Sequence, residues 1–306
     1  MTSVSTVEQQ RLSAWASANS RLSRNVDASA VSLAHGPAGG LADATLDALR
    51  ERVRLQGWVV YDAPEREPRA IVAEMCARFA LGSADRTLSG PPDGLVELRE
   101  ARSGNTARYT PYSRRALGWH TDGYYNPPAR AIRAFVLHCV RPARHGGANA
   151  MVDPRQVAKR LHALDSTILQ ALSTPDMMKI PANTEGSTLL RAEISIPVFA
   201  VADDGELVMR FTNRATHIQW RGGALFERAR TALIEAIEAE SALAPRILLK
   251  RGQGLLCNNV LHCREAFDDG DASVAPSSGR TLLRGRYLLP VAPYASERHT
   301  LPGVQG

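Results

Sequence analysis

A short segment places two metal-ligating side chains two residues apart, and this feature constrains the fold more than any other. The segment is His120, Thr121 and Asp122. In a β-strand, side chains two positions apart point to the same face, so the imidazole and the carboxylate can reach one ion together. His262, far downstream, would complete the set from a second strand. A fold that uses all three must bring two distant strands side by side.

Two histidines and one carboxylate form the facial ligand set that is typical of non-haem iron(II) sites, in which three coordination positions stay open. The short motif alone is weak, because 8 His and 31 acidic residues in 306 give about 0.8 chance matches per chain of this composition. The context adds weight to it. An apolar strand predicted from Ile132 to Val140 follows the motif, and a turn at Gly146 and Gly147 follows that strand.

A second block surrounds His262. It includes Asn258 and Asn259 before the histidine, Arg264 and Phe267 after it, and Arg280 further on. Together the two blocks resemble the taurine dioxygenase-like (clavaminate synthase-like) family of Fe(II)/2-oxoglutarate-dependent dioxygenases, from about Trp58 to Leu289. The chain departs from the family pattern where Asn258 replaces the usual Asp. It departs again at Asn149, where many members carry a Thr that touches 2-oxoglutarate.

The resemblance implies a ligand set and a co-substrate subsite. His120, Asp122 and His262 would hold Fe(II), with 2-oxoglutarate and O2 as co-substrates. Arg280 would neutralise the far carboxylate of 2-oxoglutarate, because a guanidinium offers two parallel donors and keeps its charge when buried. Asn149 would lie in the same subsite. A surface position for Arg280 is the alternative, although the apolar residues that follow it are typical of a buried strand.

Four further residues are candidates for substrate binding. Arg284 lies four positions after Arg280 and would face the same side of a regular strand. There it would either bind an anionic group of the substrate or form a structural ion pair. Tyr112 and Tyr124 flank the first motif and would either line the pocket or pack in the core. Arg210 would either reach the substrate or lie in solvent.

The expected reaction is hydroxylation or desaturation of a small anionic or zwitterionic molecule, such as an amino acid or sulfonate, with release of succinate and CO2. Two alternatives stay open: a cupin-like metal oxygenase that works without 2-oxoglutarate, and a non-catalytic jelly-roll protein that binds a small molecule. The presence of all three ligands together with Arg280 favours an enzyme, since a binding protein has no chemical need for the whole set.

Composition argues against several other classes. The net charge of +6 and the pI near 9.4 would suit a nucleic-acid partner, but the basic residues are scattered, so no phosphate-binding face is expected. No stretch of sequence is long and apolar enough to cross a membrane. The four cysteines form no CxxC pair and no secretory signal precedes them, which favours the cytoplasm. The sequence leaves a homo-oligomer open.

The patterns predict a mainly β fold with flanking helices and a double-stranded β-helix (jelly roll, cupin-like) core. Residues 1–40 are polar and are expected to form a loosely packed arm, and residues 41–306 a single domain. Helices are predicted at about 42–55, 69–79, 153–163 and 226–239. The last two bound a predicted helical insertion at about 154–240.

Overall fold

The structure is a computed structural model that describes residues 3–19, 26–36, 40–63, 66–86, 91–101, 109–214, 218–270 and 279–292, with side chains of the first helix described from residue 9 onward. The α-helices in these ranges are Ser3–Ala18 (α1), Asp43–Gln56 (α2), Pro68–Arg78 (α3), Pro154–Leu164 (α4), Ser166–Leu172 (α5) and Ala224–Ser241 (α6). Short 3-10 helices lie at Thr110–Tyr112 and Pro128–Arg130. None of the described helices is long and apolar enough to cross a membrane.

The strands form two large sheets and several small ones. The strands are Ala30–Ser32 (β1), Trp58–Asp62 (β2), Val96–Leu98 (β3), Leu117–His120 (β4), Ala134–Arg141 (β5), His145–Gly146 (β6), Asn149–Val152 (β7), Met178–Ile180 (β8), Asn183–Glu185 (β9), Thr188–Arg191 (β10), Ile194–Ile196 (β11), Phe199–Val201 (β12), Leu207–Met209 (β13), Gln219–Trp220 (β14), Arg246–Ile247 (β15), Gln253–Cys257 (β16), Leu261–Arg264 (β17), Phe267–Asp268 (β18) and Thr281–Tyr287 (β19). The six-stranded sheet has the order β1-β2-β16-β5-β19-β3, and the four-stranded sheet has the order β15-β7-β17-β4. Neighbouring strands therefore come from distant parts of the chain.

The six-stranded sheet is buried on both faces, and its side chains alternate between two cores. In β2, Val59 and Tyr61 belong to a core shared with helices α2 and α3. Trp58 and Val60 belong to the core on the opposite face, because successive side chains of a strand point to opposite sides. That second core also contains Met151 of β7, so it lies between the two large sheets.

Helices cover the outer face of the four-stranded sheet. Val152 and Leu261 belong to a third core, which they share with α1, α4, α5 and α6. Met151 and His262 lie one position away, opposite each other in the pairing of β7 and β17, and so point between the two sheets. The ring of Phe135 on β5 lies 4.7 Å from the imidazole of His262 across this space. The centre of the molecule is therefore β-sheet flanked by helices, as predicted.

Local sequence signals place helix ends close to the predicted positions. Gly57 follows α2 with a φ of 85°, a left-handed conformation that glycine adopts without strain. Asp153 caps α4 by accepting a hydrogen bond from the N–H of Arg155, and Pro154 takes the first position, where no N–H is needed. The four predicted helices correspond to α2, α3, α4 and α6.

Two parts of the chain differ from the prediction. Residues 1–40 contain α1, whose Leu12 and Ala16 are buried in the core with α4 and α5, so this part of the segment is packed rather than loose. Residues 154–240 contain the strands β8 to β14 as well as three helices, so the predicted helical insertion is mixed. These strands are only two to four residues long, which leaves too few positions for a periodic signal.

Candidate metal centre

Two strands bring the predicted ligands together. His120 ends β4, and His262 lies directly opposite it in the antiparallel pair of β4 and β17, with their ring centroids 4.2 Å apart. Asp122 follows in the next turn, and its Oδ1 lies 4.0 Å from Nε2 of His120. One potential ligand atom from each of the three side chains lies within 4.8 Å of the others. This spacing suits a single metal ion.

Backbone carbonyls orient both imidazoles. Nδ1 of His120 donates to the carbonyl of Gly118 at 2.9 Å, and Nδ1 of His262 donates to that of Val260 at 2.8 Å. A carbonyl oxygen only accepts, so each Nδ1 carries the proton and each Nε2 keeps its lone pair. Metal-binding histidines are commonly held in this way. Both rings are therefore prepared to bind through Nε2.

Asn259 holds the backbone that carries Asp122, a role that the sequence analysis does not assign. Its side-chain oxygen accepts from the N–H of Asp122 at 2.8 Å. Its side-chain nitrogen donates to the carbonyls of Asp122 and Ile132 at 3.0 and 2.8 Å. The φ of Asn259 is 50°, a left-handed conformation that asparagine tolerates better than most residues. Gly123 is also left-handed, and a Cβ there would collide with Ile132.

The electrostatics leave the three ligands ready for a cation. Burial raises the pKa of the Asp122 carboxyl, but Arg284, Arg286 and the two histidines lower it more strongly, and the net direction is down. Burial lowers the pKa of His120 to about 3 and also lowers that of His262. At neutral pH the site has one carboxylate and two neutral imidazoles, which is the protonation state that metal binding requires.

The predicted co-substrate residues lie in the interior near the inner face of β7. Asn149 is buried and shares a strand face with Met151, two positions on, which belongs to the core between the sheets. Arg280 is 6% exposed, and burial lowers its pKa. Its Cζ lies 5.0 Å from the ring centre of Phe267, and a Cβ on Gly147 would lie 3.4 Å from its Nε. Arg280 is not a surface arginine, and its role toward 2-oxoglutarate stays a prediction.

Arg264 is a second buried arginine in this region and lies outside the predicted set of site residues. It follows His262 by two residues on β17, so strand alternation alone indicates that it faces the same side. Its guanidinium donates to the carbonyl of Ser113 at 2.8 Å. Its Cζ lies 4.9 Å from the ring centre of Phe267, the ring that Arg280 also contacts. Two cations therefore stack on one aromatic ring.

Arg284 reaches one of the predicted metal ligands. Its Nη1 lies 3.5 Å from Oδ1 of Asp122, and its Nε is buried without a hydrogen-bond partner in the part of the chain that the structure describes. Of the two roles predicted for Arg284, the structure contains an ion pair with Asp122. Contact with the substrate stays a prediction.

The remaining substrate candidates lie at different depths. Tyr124 is buried beside the predicted metal turn. Burial raises the pKa of its phenol, and the charge of Arg214 and a hydrogen bond with Thr212 offset only part of this rise. Tyr112 is half-buried and packs against the core between the sheets. Arg210 is 7% exposed, so it does not lie in solvent. Burial lowers its pKa to about 10, and both terminal nitrogens lack a hydrogen-bond partner among the described residues.

Two further arginines also act on this centre through their charge. Arg214 lowers the pKa of His120 and of Tyr124 by its charge. Arg286 lies two positions after Arg284 on β19 and is buried, and its charge lowers the pKa of Asp122. Period-two alternation from Arg284 is the signal that would have found Arg286. For Arg214, as for Arg210, the sequence leaves open contact with the substrate or a position in solvent.

Comparison with known proteins identifies the family. The sequence model of the protein family "Taurine catabolism dioxygenase TauD, TfdA family" matches residues 39–286 of this chain. The chain belongs to this family. The predicted resemblance is therefore confirmed, and the protein is a non-haem iron dioxygenase whose co-substrates are 2-oxoglutarate and O2. This result disfavours both the non-catalytic binding protein and the oxygenase that works without 2-oxoglutarate.

Relatives and solved structures agree with this family. The chain is similar to a uridine-5'-phosphate dioxygenase of Amycolatopsis sp, with 29% identity over 213 residues that cover 67% of this chain and 72% of that protein. A uridine-5'-phosphate dioxygenase of Streptomyces sp is 26% identical over 174 residues, covering 55% and 60%. An asparagine oxygenase in complex with Fe(II), 2S,3S-3-hydroxyasparagine and succinate has a TM-score of 0.59 at 17% identity, covering 81% of this chain and 79% of that one. The non-heme iron oxygenase OrfP in complex with Fe and alpha-ketoglutaric acid has a TM-score of 0.58 at 15% identity, covering 91% of each chain. At these identities the structures show a shared fold.

Proposed function

We propose that this chain oxidises a C–H bond of a small anionic molecule at an Fe(II) ion held by His120, Asp122 and His262. The observation that carries the proposal is that one potential ligand atom from each of these side chains lies within 4.8 Å of the others, while Nδ1 of both imidazoles donates to a backbone carbonyl and leaves Nε2 unprotonated. Three ligands of this kind leave metal positions open for 2-oxoglutarate and O2. The bound iron would supply the oxidising chemistry, with release of succinate and CO2. Both hydroxylation and desaturation fit such a site.

The buried arginines around Phe267 support a 2-oxoglutarate subsite. Burial, together with the nearby charge of Arg280, lowers the pKa of Arg264 to about 10. Two neighbouring buried cations repel each other, and each loses hydration that its contacts must replace. The far carboxylate of 2-oxoglutarate would offset both costs by accepting two parallel hydrogen bonds from Arg280. The amide of Asn149 would donate another.

The arginines around the ligands support an anionic substrate. Arg284 and Arg286 act on Asp122, and Arg214 acts on His120, so three cations act on a ligand set that contains one carboxylate. Two relatives are named uridine-5'-phosphate dioxygenases, and a phosphate ester can carry two negative charges. Arginine pairs well with phosphate through parallel N–H donors. Within the predicted anionic class, a nucleoside 5'-monophosphate is therefore the first substrate to test, ahead of an amino acid or a sulfonate.

The finer description of the fold is also part of this proposal. The two facing sheets, with antiparallel neighbours drawn from distant segments, support a double-stranded β-helix of the jelly-roll type. Tyr112, Tyr124, Arg210 and Arg284 would lie around the substrate. The single domain over residues 41–306, the cytoplasmic location and a homo-oligomer stay predictions.

Asp122→Ala tests the metal site. Removal of the carboxylate should abolish tight Fe(II) binding in anaerobic calorimetry, and with it 2-oxoglutarate-dependent succinate formation in the presence of uridine 5'-monophosphate. Asp268→Ala is the matched control, because Asp268 is an exposed carboxylate that pairs with Arg114; it should keep both properties. Wild-type iron affinity in the Asp122→Ala protein would contradict the ligand assignment. Turnover of an amino acid but not of the nucleotide would replace only the substrate class.

A further inference from the structure

A buried carboxylate outside the ligand set, Asp85, ties the segment after α3 to β19. Its side chain is 5% exposed. Oδ2 accepts from Nη2 of Arg286 at 3.0 Å, and the N–H of Asp85 donates to the carbonyl of Arg286 at 2.6 Å. Oδ1 accepts from Nη2 of Arg130 at 2.6 Å. The side chain of Arg130 is mostly exposed, whereas that of Arg286 is buried. The ion pair of Asp85 with Arg286 is therefore the one that water and salt weaken less.

Arg286 links Asp85 to Tyr125 through hydrogen bonds from its two terminal nitrogens. Its Nη1 donates to the hydroxyl oxygen of Tyr125 at 3.1 Å, while its Nη2 is held by Asp85. The guanidinium is planar and rigid, so fixing one nitrogen on a carboxylate also fixes the direction of the other. Tyr125 follows Asp122 by three residues. Asp85 therefore orients a phenol close to the metal turn without contacting the metal ligands.

The hydroxyl of Tyr125 keeps a proton to donate. Its oxygen accepts from Arg286, so its own O–H must point elsewhere, and no acceptor for it is found within the described ranges. The ring centroids of Tyr125 and Tyr124 are 5.2 Å apart, in an edge-on arrangement. The Cζ of Arg191 lies 5.4 Å from the centre of the Tyr125 ring. The O–H therefore belongs to a cationic region beside the metal centre, where an anion would be its natural acceptor.

We propose that Tyr125 donates a hydrogen bond to the anionic group of the substrate, and that Asp85 is the positioning residue that holds Arg286 and Tyr125 for it. This inference rests on the proposed anionic substrate. Without the charge of Asp85, the carboxylate on which Arg286 still acts is Asp122. Arg286 would then be drawn toward the metal ligand, and the phenol of Tyr125 would lose its hydrogen-bond donor and its orientation.

The test compares Asp85→Asn, Tyr125→Phe and the double variant with the wild type. The probes are uridine 5'-monophosphate and inorganic phosphate, titrated calorimetrically into oxygen-free protein loaded with Fe(II) and 2-oxoglutarate. Each single variant should lose about tenfold in affinity for the anion, since a hydrogen bond to a charged group is worth roughly that factor. The double variant should match Tyr125→Phe, because Asp85 acts through Tyr125. Tyr125→Phe leaves Arg286 paired with Asp85, so its affinities for Fe(II) and 2-oxoglutarate should stay within about twofold of the wild type.

Asp204→Asn is the matched control. Asp204 forms a 2.9 Å ion pair with Arg133, a residue close in sequence to the metal turn. This ion pair includes neither Arg286 nor Tyr125. It should bind both anions as the wild type does. Asp85→Asn keeps the size of the side chain, and thermal unfolding of each variant checks that the fold is intact.

Several outcomes would overturn the inference. They are unchanged anion affinity in Tyr125→Phe, losses in the two single variants that multiply in the double variant, and failure of wild-type protein to bind either anion. The proposed function fails differently, because wild-type protein would then not bind Fe(II) or 2-oxoglutarate in the preceding titrations. Phosphate binding without nucleotide binding would support Tyr125 as the hydrogen-bond donor to the anion and would exclude only the nucleotide as the substrate.

Discussion

At the scale of single residues, three arginines in one short segment have different partners. Arg280 stacks on Phe267, whereas Nη1 of Arg284 lies 3.5 Å from Asp122. Arg286 pairs with a different carboxylate, that of Asp85, at 3.0 Å. Strand alternation predicts that all three share a face, because even numbers of residues separate them. The register shift at the start of β19 adds a residue to its partner β5 and leaves the alternation of β19 unchanged. Identical charges therefore acquire different roles from the groups that they meet.

Arg280→Ala should weaken 2-oxoglutarate binding by about 10- to 100-fold, since charge-assisted hydrogen bonds contribute roughly 1.5–3 kcal/mol. Arg280→Lys should recover only part of the loss, because an ammonium cannot bind both carboxylate oxygens in one plane. Anaerobic calorimetry on Fe(II)-loaded protein measures the change. Arg141→Ala, at an exposed arginine paired in register with Thr281, is the control. Wild-type affinity in Arg280→Ala would remove this residue from the co-substrate subsite.

At the scale of elements, the turn between β16 and β17 has two asparagines with separate tasks. Asn259 binds the backbone of Asp122 and so supports the metal turn. Asn258 donates to the carbonyl of Ala292 at 2.6 Å and accepts from the N–H of Val291 at 2.8 Å. An ionised Asp at this position, as in the family pattern, could accept but not donate. The departure at Asn258 therefore matches the way that the following segment packs in this chain.

Asn259→Ala should lower the free energy of unfolding by about 2–4 kcal/mol and also weaken Fe(II) binding. It removes three hydrogen bonds, leaves buried backbone groups of Asp122 and Ile132 unpaired and puts a residue without a polar side chain at a positive φ. Urea unfolding and metal titration measure the two effects. Asn258→Ala should lower stability while iron affinity stays near that of the wild type. Equal iron affinity in both variants would refute the anchoring role of Asn259.

Gly254→Ala should destabilise the central strand β16 by about 1–3 kcal/mol or more, because overpacking in a filled core is costly. A Cβ at Gly254 would collide with the ring of Tyr61 and with the carbonyl of Leu137, which cannot move out of the sheet. Gly222→Ala is the control, since a Cβ there meets nothing within 4 Å. Thermal unfolding compares the two. A stability loss in Gly222→Ala as large as in Gly254→Ala would argue against this packing account.

At the scale of the whole molecule, stability depends on polar groups that are buried between the layers. His138 lies on β5 in the middle of the six-stranded sheet and is 1% exposed. Its Nδ1 lies 3.0 Å from the hydroxyl of Tyr61 on β2, with which it forms a hydrogen bond. The structure favours the neutral form of His138, because burial lowers its pKa to about 4. Global unfolding exposes this imidazole to water and to protons.

The free energy of unfolding should fall as the pH drops from about 6.5 to about 4. An unfolded histidine has a pKa of about 6.5, so in this window the unfolded chain binds a proton that folded His138 does not. The contribution of this residue is up to ~3 kcal/mol. His138→Gln should therefore show a shallower pH dependence in urea unfolding, while His145→Gln, at an exposed histidine, should keep the wild-type slope. Identical slopes in all three proteins would contradict this assignment.

The parts of the fold that the sequence predicts well are those with strong local signals. Gly57, Asp153 and Pro154 mark helix ends because each suits a particular backbone conformation or hydrogen bond. The buried face of α1 escapes prediction, since Leu12 and Ala16 acquire their burial from helices far along the chain. The small strands β8 to β14 escape it for a related reason: short segments pair only where tertiary structure supplies a neighbour.

The sequence alone predicted the side chains of the candidate metal site and, through strand alternation, which residues of one strand share a face. Arg280 with Arg284 is a pair predicted by that rule, whereas Asp122 lies in the turn after β4 and meets His120 there. Only the tertiary structure decided that His262 stands opposite His120, that Asn259 holds the metal turn and that Asp85 reaches Tyr125 through Arg286. Backbone geometry acts over a few residues, whereas the partner of a side chain depends on the register and packing of strands that are distant in sequence.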